Sequence, residues 1–142
     1  MSLFNTKLLD IVRSDRRYAY EAYEFIFQAL EHTQKMLGRS IDRSTIDPSE
    51  PQHHVTCRQL LEGARELAIR EFGLMARVVF KQWGISSTDD FGEIVFNMVE
   101  FRLLATTEND SREDFKNGYN FDEAFRKPFL PESKKAGEQI VS

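Results

Sequence analysis

The sequence predicts a mainly α-helical, compact single domain, on three observations. Apolar residues recur at i, i+3, i+4 spacing, capping residues stand where those stripes begin, and glycines stand where they stop. The strongest stripe lies in residues 15–37 and runs through Tyr18, Ala22, Phe25, Ile26, Ala29, Leu30, Thr33, Met36 and Leu37, with Gly38 as its C-terminal stop. A shorter, partly amphipathic helix precedes it over residues 3–12, through Phe4, Leu8, Leu9, Ile11 and Val12.

Residues 38–55 have no periodicity and contain two prolines, so they read as a loop between a first helical unit, 1–37, and a helical core, 56–125. That core opens at Thr56, a cap residue with Gln59 at the capping-box position and Val55 placed to staple onto Leu60. Leu60, Leu61, Ala64, Leu67 and Ala68 form its buried stripe until Gly73 breaks the run, and an apolar helix continues over residues 74–83 as far as Gly84. Ser87 then caps a helix whose first turn holds Asp89 and Asp90, because acids there favour the helix dipole. Phe91, Ile94, Val95, Met98, Val99 and Leu103 are its inner face.

Beyond this helix, residues 104–107 and 115–121 have the composition to pair as a β-hairpin around 108–114. Asn120 and Glu123 offer a capping box for one more helical turn ending near Phe125, and residues 126–142 read as a mobile polar tail. Helix, glycine turn, capped helix and hairpin is the order of a winged helix, so residues 56–121 are expected to be winged-helix-like.

Composition narrows the function classes. A chain of 142 residues with 41% hydrophobic and 30% charged side chains matches one globular domain with a continuous core. Its apolar runs are too short to span a bilayer, and the opening residues lack a secretory h-region, so no membrane partner and a cytoplasmic location are expected. A single cysteine, Cys57, excludes an intrachain disulfide and agrees with a reducing compartment.

Charge argues against nucleic acid. Residues 88–125 hold three basic and ten acidic side chains, and Asp89, Asp90 and Glu93 stand where a recognition helix would present Arg, Lys, Asn or Gln to bases. Only Asn97 and Arg102 are of the right type there. Arg70, Arg77 and Lys81 on the middle helices are candidate anion contacts, set against the simpler reading that Glu62 and Glu66 pair with the neighbouring arginines along the helix.

His53, His54 and Cys57 are the only place where metal ligands gather. Three such groups without a fourth partner or a positioned base fall short of a zinc site or an activated nucleophile, so neither a metal nor a cofactor is expected. Adjacent acids such as Asp89 with Asp90 diverge from a helix start, and no glycine-rich phosphate loop is present.

Aromatic excess is left over: twelve Phe, four Tyr and one Trp. Most belong in a core, but Tyr20, Tyr23 and Phe27 fall beside the filled stripe of their helix and are the candidate interface, unless the chain's own C-terminal phenylalanines cover them. The leading expectation is therefore a non-enzymatic interaction or assembly module, working with a protein partner or as a homo-oligomer. A winged-helix nucleic-acid-binding regulator is the alternative, and a metal-dependent enzyme centred on His53, His54 and Cys57 is the second.

Residues 17–25 (RYAYEAYEF), 54–68 (HVTCRQLLEGARELA), 82–100 (QWGISSTDDFGEIVFNMVE) and 110–115 (DSREDF) resemble a small protein family restricted to planctomycete and verrucomicrobial bacteria. The family has no assigned activity, catalytic residue or cofactor. The resemblance implies a bacterial, cytoplasmic, single-domain protein and adds no chemistry.

Overall fold

A computed structural model describes residues 3–38, 55–104 and 111–129. In chain order the elements are α1 (Leu3–Ser14), α2 (Tyr20–Met36), α3 (Cys57–Phe72), a 3-10 turn (Gly73–Met75), α4 (Ala76–Gln82), α5 (Thr88–Glu100), a 3-10 turn (Arg112–Phe115), α6 (Phe121–Phe125) and a last 3-10 turn (Lys127–Phe129). No strand occurs among the described residues. The loop expected over 38–55 and the tail over 126–142 lie largely outside those residues.

The helix starts follow their capping grammar. Thr56 Oγ1 accepts the amide of Gln59 at 3.1 Å while Gln59 Oε1 accepts the amide of Thr56 at 3.0 Å, so α3 begins with both orphan donors satisfied. Asp90 Oδ2 accepts the amides of Ser86 and Ser87 at 2.8 and 3.3 Å, and Ser87 Oγ accepts that of Asp89, which fixes the start of α5. Asn120 Oδ1 caps α6 through Asp122 and Glu123.

The start of α2 differs from the expectation. Residues 15–19 form a turn, since Asp15 Oδ1 accepts the amide of Arg17 at 3.1 Å and the amide of Ala19 donates to the carbonyl of Trp83 at 3.1 Å. The bond to Trp83 pulls this turn onto the end of α4. Gly84, at φ +91°, permits the approach, because a Cβ there would lie 2.0 Å from the Arg17 carbonyl oxygen.

The hairpin expectation needs correction. Ser111 and Asp114 form a capping box, with the Asp114 carboxylate accepting the Ser111 amide at 2.9 Å, and this draws residues 112–115 into a 3-10 turn. Thr88 Oγ1 donates to the Phe115 carbonyl at 2.6 Å and accepts the Gly118 amide at 3.0 Å, so residues 115–118 are bonded to the first turn of α5 and not to a partner strand. Residues 105–110 lie outside the described residues. What reads in sequence as a wing is therefore, from residue 111 onward, a turn, a loop and a helix.

α2 packs along α3, α5 lies across α2, and α1 closes over α2 and α5. Phe80 of α4 is the hub. It is fully buried, and the rings of Phe25, Phe72, Trp83, Phe91, Phe121 and Phe125 have centroids 5.2–6.3 Å from its own, a range in which tilted and edge-on pairs are favourable. Much of the aromatic excess is spent here, since the C-terminal phenylalanines plug α4 and α5 and do not spread over α2. Phe115 enters the same core from the turn, against Gly92, where a Cβ would sit 2.8 Å from its own Cβ.

Candidate interaction surface

The aromatic sector of α2 is not the open surface that its spacing suggests. Tyr23 is 0% exposed, and its hydroxyl accepts from Asn97 Nδ2 at 3.0 Å. Phe27 stacks on Phe4 of α1 with centroids 4.8 Å apart, and Tyr20 is half-buried against the core. Phe27 is covered from the N-terminal side by Phe4 of α1, and Tyr23 by Tyr18 and by Asn97 of α5, where the sequence offered a partner or the chain's own C-terminal phenylalanines. Of the three candidate interface residues, Tyr23 is withdrawn from any partner, and Phe27 already has one within the chain.

Asn97 is likewise buried and so unavailable to a base edge. Its amide also donates to Asp15 Oδ2 at 2.9 Å, tying the turn before α2 to α5. The Arg17 guanidinium beside Asp15, with Asn97 assisting, holds that carboxyl well below the usual carboxylate range. Arg17 in turn reaches Glu93 at 3.1 Å, and Glu93 also receives Arg112 at 3.3 Å. Tyr18 donates to Asp90 at 2.5 Å, and burial, reinforced by that bond, pushes its phenol up. These groups are a clasp between helices, satisfied from within.

The exposed apolar surface lies elsewhere, around the short turn and helix that follow Gly73. Leu74 is 60% exposed, Met75 55% and Val78 46%, above Met36 at 43% and Leu37 at 39%, the exposed pair at the end of α2. Leu74 and Val78 are four residues apart and so share a face. Their exposure has a local cause, because α4 is only seven residues long and must point Phe80 and Ala76 inward, which turns Leu74 and Val78 outward. Phe129, 37% exposed, adjoins the same region, its ring 4.0 Å from where a Cβ on Gly73 would be.

Leu74 and Val78 form one wall of a cleft of about 400 Å³ between α4 and α6. Its floor is the buried edge of the aromatic core, Ile85, Phe121 and Phe125. Its rim carries Arg77, Lys81 and Arg126, and no acid among the described residues lines it. Arg77 and Arg126 share Asp122, at 3.0 Å and 2.6 Å, and the Arg126 guanidinium keeps that exposed carboxyl below its ordinary value. Lys81 makes no ion pair among the described residues. Three cations against one carboxylate leave the mouth of the cleft positive on a chain that is negative in total.

The structure thus brings together two of the three candidate anion contacts, Arg77 and Lys81, and separates the third. Arg70 pairs with Glu71 and lines a different cleft, of about 480 Å³, between α2 and α3. Glu31 and Glu71 balance Lys35 and Arg70 there, so that cleft has no charge preference. His32 at its edge has a buried Nε2 without a hydrogen-bond partner and lies 3.8 Å from Glu66. Glu62 pairs with Arg65, one turn on, and not with Arg58 as the spacing also allowed.

No protein-family model, curated protein or solved structure matches this chain. The site must therefore be read from its own chemistry. His53 and His54 lie outside the described residues, and Cys57 opens α3 half-buried. Among the described residues no three His, Cys, Asp or Glu side chains converge as a metal site would require. No described helix is long and apolar enough to cross a membrane.

Sequence reading missed Leu74, Met75 and Val78 as surface residues because they continue an apolar run that looks like core. The signal was present in the break at Gly73: a helix restarted there keeps a new phase, and residues that extend the old stripe no longer face the same way.

Proposed function

We propose that this chain is a non-enzymatic interaction or assembly module that meets its protein partner through the surface formed by the 3-10 turn Gly73–Met75 and α4. One observation supports this reading above others. Leu74, Met75 and Val78 are exposed together beside a cleft with an apolar floor, and grouped apolar exposure of this kind marks contact surfaces, whereas scattered exposure does not. The winged-helix regulator loses its support in residues 111–121, and its base-reading residue Asn97 is committed to Tyr23 and Asp15. The resemblance to the planctomycete and verrucomicrobial family adds a bacterial setting to the proposal and leaves the partner open.

The test compares the full chain with a Leu74→Ser, Val78→Ser double variant, in self-association by sedimentation velocity and in the set of proteins retained from cells that make the chain. Both side chains are largely exposed, so the melting temperature should change little. Loss of self-association or of specific retained proteins is the expected result. An unchanged sedimentation profile and an unchanged retained set, with the fold intact, would end this reading.

A further inference from the structure

Resting on that reading, we propose that the cleft between α4 and α6 takes a short acidic amphipathic segment of a partner protein, seating one apolar side chain on the Phe121 and Phe125 floor and carboxylates at Lys81 and Arg126. Charge complementarity selects this occupant. The cleft is apolar in its depth and cationic at its mouth, and Lys81 is a cation without an ion-pair partner among the described residues.

Each exposed ion pair contributes little by itself, so the carboxylates decide which segment enters while the apolar contact holds it. The volume, about 400 Å³, is at the lower end of small-ligand and side-chain pockets, which run to roughly 300–1,000 Å³, and suits one or two inserted side chains. An amphipathic helix laid into a groove presents them four residues apart, the same spacing as Leu74 and Val78 on the facing wall.

Concavity and net charge separate this occupant from the other polyanions. A bilayer surface would meet the projecting Leu74, Met75 and Val78 but would leave the floor of buried Phe121 and Phe125 unfilled. Nucleic acid is a long polyanion that would also meet exposed Asp89, Glu100, Glu113, Asp114 and Glu123, whereas a short segment meets only the local positive mouth.

The experiment uses the full chain and fluorescein-labelled synthetic peptides of about twelve residues, a length that gives roughly three helical turns. One carries leucines four residues apart flanked by glutamates, and two others replace each glutamate by glutamine or by lysine. Anisotropy should show binding of the glutamate peptide, at least about fivefold weaker binding of the glutamine peptide, and none of the lysine peptide. Rising salt should weaken the glutamate complex. Lys81→Glu should weaken it by a similar factor and allow the lysine peptide to bind, while Val78→Asp should abolish binding of the glutamate peptide.

Equal affinity for the glutamate and glutamine peptides, or no effect of Lys81→Glu, would overturn the acidic occupant. Preference for phosphatidylserine vesicles over the glutamate peptide would overturn it in favour of a membrane surface. Self-association that depends on Val78 and excludes the glutamate peptide would overturn it in favour of a second copy. In each of these cases the Leu74→Ser, Val78→Ser comparison decides separately whether the interaction reading itself survives.

Discussion

Tyr23 and Val78 exchange the places that their sequence positions suggest. Tyr23 lies outside the main stripe of α2, yet it is buried beside Tyr18 and accepts a hydrogen bond from Asn97, while Val78 extends an apolar run and is half in water. Their substitutions should therefore separate cleanly. Tyr23→Ala removes a fully buried ring and leaves the Asn97 amide short of a partner, so it should lower stability by about 3–5 kcal/mol in denaturant unfolding. Val78→Ala should stay within about 0.5 kcal/mol. A Tyr23→Ala protein as stable as the parent would show that Tyr23 is not packed against α5 in solution. The need for the clasp was invisible in sequence, because Asp15, Arg17 and Asn97 are ordinary surface residue types until α5 is brought against the turn before α2.

At the level of elements, capping was the most legible signal. Thr56 with Gln59, Ser87 with Asp90 and Asn120 at the start of α6 all stand where the pattern put them, since a capping bond joins residues two or three apart and needs no tertiary partner. Thr56→Ala should cost about 1 kcal/mol in thermal or denaturant unfolding, with Gln59→Ala adding less than its own separate cost because the two bonds form one box. The same grammar misled at residues 111–118. Phenylalanines spaced through a polar stretch resemble a strand, but Ser111 and Asp114 close a capped turn, and the hydroxyl of Thr88 supplies the bonds that a partner strand would have made.

The whole molecule combines an aromatic core with a few interhelical ion pairs, and this sets its response to acid. Arg17 and Asn97 depress the Asp15 carboxyl, and Arg65 depresses that of Glu62. A carboxylate whose folded pKa lies below its unfolded value, about 3.9 for Asp, stabilises the fold fully above that value and loses the contribution as pH falls beneath it. Melting temperature should thus hold above about pH 5 and fall between about pH 4 and pH 2, with Asp15→Asn showing a shallower fall. An Asp15→Asn protein with the same acid slope as the parent would mean that this clasp does not hold the turn to α5 in solution.

By itself the sequence determined the helical class, the capped starts of α3, α5 and α6, the acidic balance of residues 88–125, and a core dense in aromatics, because each of these is local or compositional. Only the tertiary structure decided which apolar residues are spare. The answer depends on the phase that the chain takes after Gly73 and on α5 docking against α2, outcomes that move Tyr23 into the core and leave Leu74, Met75 and Val78 at the surface. The positive mouth of the cleft is likewise tertiary. Arg77 and Lys81 lie far from Arg126 along the chain, and the docking of α6 on α4 is what puts their charges around one apolar floor.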